Sequence, residues 1–469
     1  MKLFPVLLLL LTLVTISSGL AGTPGAIDQS AIELFESEFS SGNDHAAVLN
    51  AIANNKLSDL ALNRQKLIDH NTFVNLKVET AGITNQRSSG RCWMFAALNV
   101  FAPNVIKKLD LDDFEFSQPY LTFWDKMEKA NLFLEKILAF RDLPVDDRKV
   151  AQTLENPFGD GGWYTYFAAL VEKYGLAPYS AMPETKQSVA TGAVNKLASK
   201  KLRVFAAELR ELHAQGKRID ELRQRKEEML AEIYRLMALC YGEPPKEFEF
   251  RYEPKDDSIK AEVKTYTPKS FAEEFVGDKI PEFVPLVNNP NWEYNLPYRG
   301  EWNRAMYEAD DYTLLNLPVE RLKYYAEKML LDSQLVWFAC DVGKEHSSDS
   351  ALLMPGLYQY NELFSLDFSD TKAIRLQYGD SWATHAMALA GVDTTDSGET
   401  SKWLVENSWG TKKGDDGFWY MYDDWFDEYV YVLVVDKRLM EKEDLDNYSK
   451  EPRKTKMWDV FMNSLRNLQ

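Results

Sequence analysis

Three observations predict an α+β fold for this chain. The first half carries apolar residues three and four apart among charged ones, which is helical spacing. From Leu335 onward short β-type runs replace that pattern, and no internal repeat is apparent. With 469 residues, 45% hydrophobic and 13% aromatic, the chain has the length of two or three domains, or of one with large insertions. It is apolar enough to bury a substantial core.

The elements follow in order. Met1-Lys2 is a short basic start, Leu3 to Ile16 are apolar apart from Thr12 and Thr15, and Ser17, Ser18, Gly19, Ala21 and Gly22 are small. Charge, apolar stretch and small residues in that order predict a signal peptide over residues 1–22, too short to span a membrane comfortably. Amphipathic helices are expected over Asp28–Ser41 and Asp44–Asn55, then an extended stretch, "NTFVNLKVETAGITNQ". A loop over Asn85–Arg91 leads into a helix at Cys92, whose buried face is Met94, Phe95, Leu98 and Phe101; Pro103 should kink or end it. Helical spacing continues from Lys107 to Leu143, and "NPFGDGGWYTYFAALVEKYG" places a Gly-rich turn before a helix that stops at Gly175. The long stretch from Ser188 to Ala238 reads as helix, with "IDELRQRKEEMLAEIYRLMALC" laying one stripe on the body rather than on a partner. Tyr252–Tyr312, rich in Pro, Asn and aromatics, predicts loops with short strands. The later β runs are "LVWFACDV", "MALAGVD", "KWLVENSWG", "GFWYMYDDW" and "YVYVLVVD".

Charge excludes some functions. The net charge of -18 argues against nucleic acid as a partner, because phosphate contacts need clustered Lys and Arg. The acidic runs "DLDDF", "DLPVDDR" and "EADDY" read as solvated faces or caps, so no metal site is expected. No cofactor fingerprint is present either. Three cysteines, Cys92, Cys240 and Cys340, are too few for a disulfide framework; export would permit a Cys240–Cys340 bridge, but no essential one is expected.

Cys92 is the residue with chemistry to offer. A thiol at a helix N-terminus feels the positive end of the helix dipole, which favours the thiolate. Gly90 lets the backbone turn tightly, and Gln86 can supply a side-chain N–H, beside the helix-start N–H groups, to an oxyanion. Such a cysteine can equally be read as a buried small hydrophobe. Among five histidines, His45, His70 and His213 lie in polar helical stretches and His346 in a loop. His385 opens an apolar β run, where a core can position it. Asn407 follows in "VENSWG"; its amide oxygen can fix the imidazole tautomer so that the other ring nitrogen faces a thiol, with Trp409 covering the bond from water.

Gln86, Cys92-Trp93, His385 and Asn407-Ser408-Trp409-Gly410 stand in the order of the papain-like cysteine proteases. Two features depart from papain itself. Cys92 and His385 are 293 positions apart, against about 130–150 in papain-type enzymes, and "SGRCW" has Ser89 where papain's signature has its first Cys. With those departures the chain resembles the bleomycin hydrolase and aminopeptidase C branch of the superfamily. The resemblance is carried by "NQRSSGRCWMFAALN", "FSQPYLTFWDKMEKANLFLE", "DGGW", "SAMPET", "VWFACDVGK", "THAM" and "KWLVENSWG", from about Lys77 to Asp459.

The resemblance implies a papain-like two-lobed fold with a large helical insertion and a C-terminal arm. Its divisions would be a signal peptide (1–22), an N-terminal helical segment (23–76), a helical left lobe with the nucleophile (77–187), a mostly helical insertion (188–334), a β-rich right lobe with His and Asn (335–436) and the arm (437–469). It implies a thiol aminopeptidase acting on peptides without a cofactor, with Cys92, His385, Asn407 and Gln86 catalytic. Gly161, Gly162, Trp409 and Gln469 would face the substrate, though a tight turn before a helix explains the glycine pair equally well. The family's homohexameric barrel is expected, as is export to a bacterial periplasm or beyond, with no stable membrane anchor. The arm's finish, "VFMNSLRNLQ", departs from the family's Pro-Met-Gly-Ala-Leu-like end, which leaves endopeptidase action open. The same four residues would also serve acyl transfer to an amine, and a catalytically silent, barrel-forming assembly protein would keep the same fold.

Overall fold

The structure is a computed structural model that describes residues 23–40, 45–256 and 263–465. The expected signal peptide and Gln469 lie outside the described residues. The chain divides into two compact units, one ending at Leu62 and one beginning at Asn63. In the first, helices span Gln29–Ser40, His45–Asn54 and Leu57–Ala61.

In the second unit a short helix, Arg64–Asp69, comes first, and α1 (Cys92–Leu109) starts at the thiol. Pro103 lies inside α1 and does not end it. The proline forfeits one backbone bond, but Phe101, Ala102 and Val105 around it are buried, and that packing carries the helix on to Leu109. Helical spacing read as continuous beyond Lys107 is broken: Asp110 closes α1 in the left-handed conformation, and Ser117 caps α2 (Gln118–Ala139) by accepting from the Tyr120 N–H. Buried residues lie on every side of α2, including Asp125, Lys126 and Lys129. α3 (Tyr164–Tyr174) stops at Gly175, whose φ of 77° and contact with the Pro268 backbone leave no room for a Cβ. The long helical stretch is two helices, α4 (Gly192–Ala214) and α5 (Ile219–Tyr241), the second burying one stripe of Leu222, Met229, Ile233 and Met237.

The strands that position the site are β1 (Phe283–Val287), then, after helix α6 (Val319–Leu331), β2 (Val336–Cys340), β3 (His385–Thr394), β4 (Thr400–Glu406), β5 (Phe418–Tyr422) and β6 (Val430–Asp436). They pair antiparallel in the order β1-β6-β2-β3-β4-β5, and shorter strands extend the sheet to twelve among the described residues. Residues alternate between faces, as the pleat requires. Trp337, Ala339 and Ala386 join the core around α1, whereas Val336, Phe338, Met387 and Val405 join a second core with Leu322, Tyr325 and Met329 of α6. Both faces of the sheet are therefore covered, which explains why its central strands read as unbroken apolar runs.

Cys92, Cys240 and Cys340 are all free thiols. No helix among the described residues is long and apolar enough to cross a membrane.

Candidate active site

The nucleophile turn and the asparagine loop are laced together by backbone. Gln86 N–H donates to Ser408 O (2.9 Å), Gly410 N–H donates to Thr84 O (3.0 Å), and Asn85 pairs with Trp409. Side chains repeat the connection: Ser408 Oγ donates to Gln86 Oε1 at 2.7 Å, and Gln86 Nε2 donates to Ser89 O at 2.7 Å. Gln86 is therefore held by both loops, and its Nε2 keeps a second N–H beyond the one given to Ser89.

Cys92, 1% exposed, is the first residue of α1. The backbone N–H groups of Ala386, Trp93 and Cys92 itself are directed at its sulfur. The Ala386 contact brings sulfur from the helical part of the chain to the residue after His385 in the β part. Burial pushes the Cys92 thiol up to about 12, against those three donors. Burial likewise pushes His385 down to about 4, opposed by its bond to Asn407. Alone, neither would be charged at neutral pH. A proton passing from sulfur to imidazole creates both charges together, each stabilising the other.

His385 opens β3 opposite Cys340 of β2. Its Nε2 lies 2.9 Å from Asn407 Oδ1, which also accepts the Ser408 N–H at 2.7 Å. Nδ1 is thereby left for the thiol. Trp409 covers the pair, its ring centroid 4.8 Å from that of His385. The structure brings Gln86 and Asn407 together through Ser408, His385 onto Asn407, and the residue after His385 to the Cys92 sulfur.

The glycine pair has a local explanation. A Cβ on Gly162 would sit 2.7 Å from the ring of Trp93, which is fully buried. The Gly161 carbonyl accepts from Lys129 Nζ at 2.7 Å. Just beyond, Trp163 Nε1 donates to Met462 O (3.1 Å) in the arm, where Asp459 caps a short helix, Val460–Asn463. Phe461 packs against Trp163, Trp292 and Tyr431, and Met462 and Leu465 are fully buried. The arm thus reaches the segment that follows the glycine pair.

Several residues near the site were not legible from spacing. Asp160 accepts the Gly90 N–H at 2.8 Å, two positions before the thiol. Lys126 and Lys129 hold the backbone on either side of Asp160. Glu406, buried beside Asn407, accepts from Asn99 of α1. Asp341 accepts from Ser381 Oγ (2.8 Å) and Thr384 Oγ1 (3.0 Å) next to His385. The one available signal was the "DGGW" turn, whose aspartate is an expensive residue to place among glycines unless it holds backbone.

The Peptidase C1-like family matches residues 26–462. Aminopeptidase C of Listeria monocytogenes is 40% identical over 385 residues, covering 82% of this chain and 86% of that one. Aminopeptidase C of Streptococcus thermophilus is 37% identical, covering 88% and 94%. The crystal structure of PepW from Lactobacillus rhamnosis HN001 superposes with a TM-score of 0.89 at 36% identity, over 93% of this chain and 99% of that one. The chain belongs to the Peptidase C1-like family, in the aminopeptidase C and bleomycin hydrolase branch of the papain-like cysteine peptidases.

Proposed function

We propose that this cysteine peptidase is an aminopeptidase whose acyl-enzyme forms on Cys92. The observation that carries the reading is the split commitment of His385: Nε2 is tied to Asn407 Oδ1, and the next residue's N–H reaches the Cys92 sulfur. Nδ1 takes the thiol proton as sulfur attacks the scissile carbonyl. The resulting oxyanion is held by the Cys92 N–H and the second N–H of Gln86 Nε2. The imidazolium then gives its proton to the leaving amine, and the C–N bond breaks to leave a thioester. Water, losing a proton to the same Nδ1, attacks the thioester; the tetrahedral adduct expels sulfur, which recovers the proton, and the freed N-terminal amino acid departs.

Exopeptidase action is supported by the names of the relatives and by an arm buried against Trp163 as far as Leu465. Such an arm narrows the cleft, so a short free amine end fits better than a continuing chain. Gly161, Gly162 and Trp409 form the substrate wall in this reading, with Gln469 at the arm's end. Purified enzyme should cleave a peptide with a free N-terminus at least about tenfold faster than its N-acetylated counterpart. Equal rates would sink the exopeptidase reading and leave endopeptidase action.

The reading extends to export and to a homohexamer. Export rests on the order of basic, apolar and small residues over 1–22, and assembly on the family resemblance. N-terminal sequencing of protein from the cell envelope and light scattering of the purified enzyme test the two.

A further inference from the structure

Four charged side chains beside the nucleophile turn and the glycine pair have almost no access to water. Lys126 and Asp160 are 0% exposed and 2.8 Å apart; Lys129 and Asp125 are 7% and 2% exposed and 2.7 Å apart. Two buried ion pairs are weak contributors to stability, because the desolvation of each charge offsets the attraction. Their bonding shows where they act instead.

Lys126 Nζ donates to Phe158 O, Gly159 O and Asp160 Oδ1, and Lys129 Nζ to Gly159 O, Gly161 O and Asp125 Oδ2. Each ammonium has three protons and three acceptors, so neither has a donor left for a substrate or a proton transfer. Asp160 is equally committed. Its Oδ1 takes Lys126 and Asn195, and its Oδ2 takes Thr191 Oγ1 and the Gly90 N–H. Its main-chain oxygen takes Trp93 Nε1. Burial opposes the charge on Asp160, but Lys126, Thr191 and Asn195 hold its carboxyl well below the usual range. One end of this network thus grips the turn before the thiol, and the other grips the carbonyls of Gly159 and Gly161.

We propose that the Asp125–Lys126–Lys129–Asp160 quartet sets the register of the cleft: Asp160 positions the nucleophile turn at Gly90, and Lys129 positions the substrate wall at Gly161. The inference rests on the reading of Cys92 as nucleophile and of the glycine pair as wall. It makes these four positioning residues, not catalytic ones.

The two ends predict different kinetic signatures. In Asp160→Asn, Lys126 keeps the amide oxygen, so the amide Nδ2 is turned toward the Gly90 N–H, donor against donor. Turnover of a free-amine peptide should lose about tenfold or more in kcat with KM within about threefold. Asp160 opposes the thiolate, and in this variant that charge is gone. Alkylation of Cys92 by iodoacetamide at neutral pH should therefore speed up by about threefold while turnover slows. In Lys129→Gln, KM should rise about tenfold with kcat within about threefold. A purely structural role would lower kcat, alkylation and folded fraction together, and that outcome overturns the proposal, as does an unchanged Asp160→Asn. If Asp160→Asn does not accumulate, Lys129→Gln decides: an unaltered KM overturns the proposal. Alkylation needs no peptide, so a wild-type enzyme inactive on peptides would end the aminopeptidase reading alone. In that case a faster Asp160→Asn alkylation than wild type supports the quartet, and an equal or slower one counts against it.

Discussion

Glu406 and Asn99 are joined by a hydrogen bond of 2.6 Å, from amide Nδ2 to carboxyl Oε1, between β4 and α1. Asn99 also donates to Thr84 Oγ1 at 3.0 Å, whereas Glu406 Oε2 has no partner among the described residues. The strand that ends in Asn407 is in this way fastened to the helix that begins at Cys92. Burial pushes the Glu406 carboxyl up to about 8, with the Asn99 bond opposing, so the joint is a neutral acid at physiological pH.

That neutrality predicts a pH-dependent stability. Below about 4.5, the ordinary value, folded and unfolded chains both hold the proton. Between there and about 8 the unfolded chain releases it and the folded chain does not, so Glu406's contribution falls as pH rises and levels off above about 8. Glu406→Gln has no such slope. We expect its Tm relative to wild type to climb steadily across that window, measured by thermal melts in matched buffers; a constant difference would show that Glu406 is ionised in the fold.

Removing the amide that steers the imidazole should leave binding intact. Asn407→Ala removes the oxygen that lies 2.9 Å from His385 Nε2 and leaves the imidazole free to rotate. The expected loss is on the order of 100-fold in kcat with little change in KM. Steady-state kinetics on a free-amine peptide reads it, and a variant with full kcat would contradict the orienting role.

Gly162 is constrained by packing whatever it does for substrate. Gly162→Ala forces a methyl into the fully buried Trp93 ring, and overpacking of this kind costs roughly 1–3 kcal/mol. Urea denaturation should show the loss. A variant as stable as wild type would mean that Trp93 has room to shift, and would move the case for this glycine back toward substrate contact.

Deleting residues 460–469 removes Phe461 and Met462 from Trp163 and its neighbours. Acetylated peptides should then be cut at least about tenfold faster than by the full chain, as an obstacle to longer substrates is lost. Unchanged discrimination between free and blocked peptides would place exopeptidase specificity elsewhere.

Some of this was visible in the chain and some was not, for physical reasons. His385 and Asn407 stood out because they are polar residues in apolar β runs, and Cys92 and Gln86 because a thiol opens a helix six positions after an amide in a Gly-containing loop; the strands from Val336 to Asp436 announced themselves by apolar runs bounded by turns. The quartet did not. Asp125, Lys126 and Lys129 fall at ordinary spacings on a helix, where charge normally marks solvent; only the enclosure of α2 on every side turns them inward. Pro103 left two outcomes open, a kink or an end, and the core around it rules out the end, which local propensity alone does not decide. The break at Asp110–Ser117 was hidden because apolar periodicity continues across it.

The most direct trial of the catalytic assignment is the reactivity of Cys92 itself. Mass spectrometry after brief iodoacetamide treatment at neutral pH should find Cys92 labelled far ahead of Cys240 and Cys340 in the wild type. In His385→Ala that labelling should fall by about 100-fold or more, because the buried thiol has lost its proton acceptor. Equal labelling of Cys92 with and without His385 would mean that the sulfur and the imidazole do not share a proton.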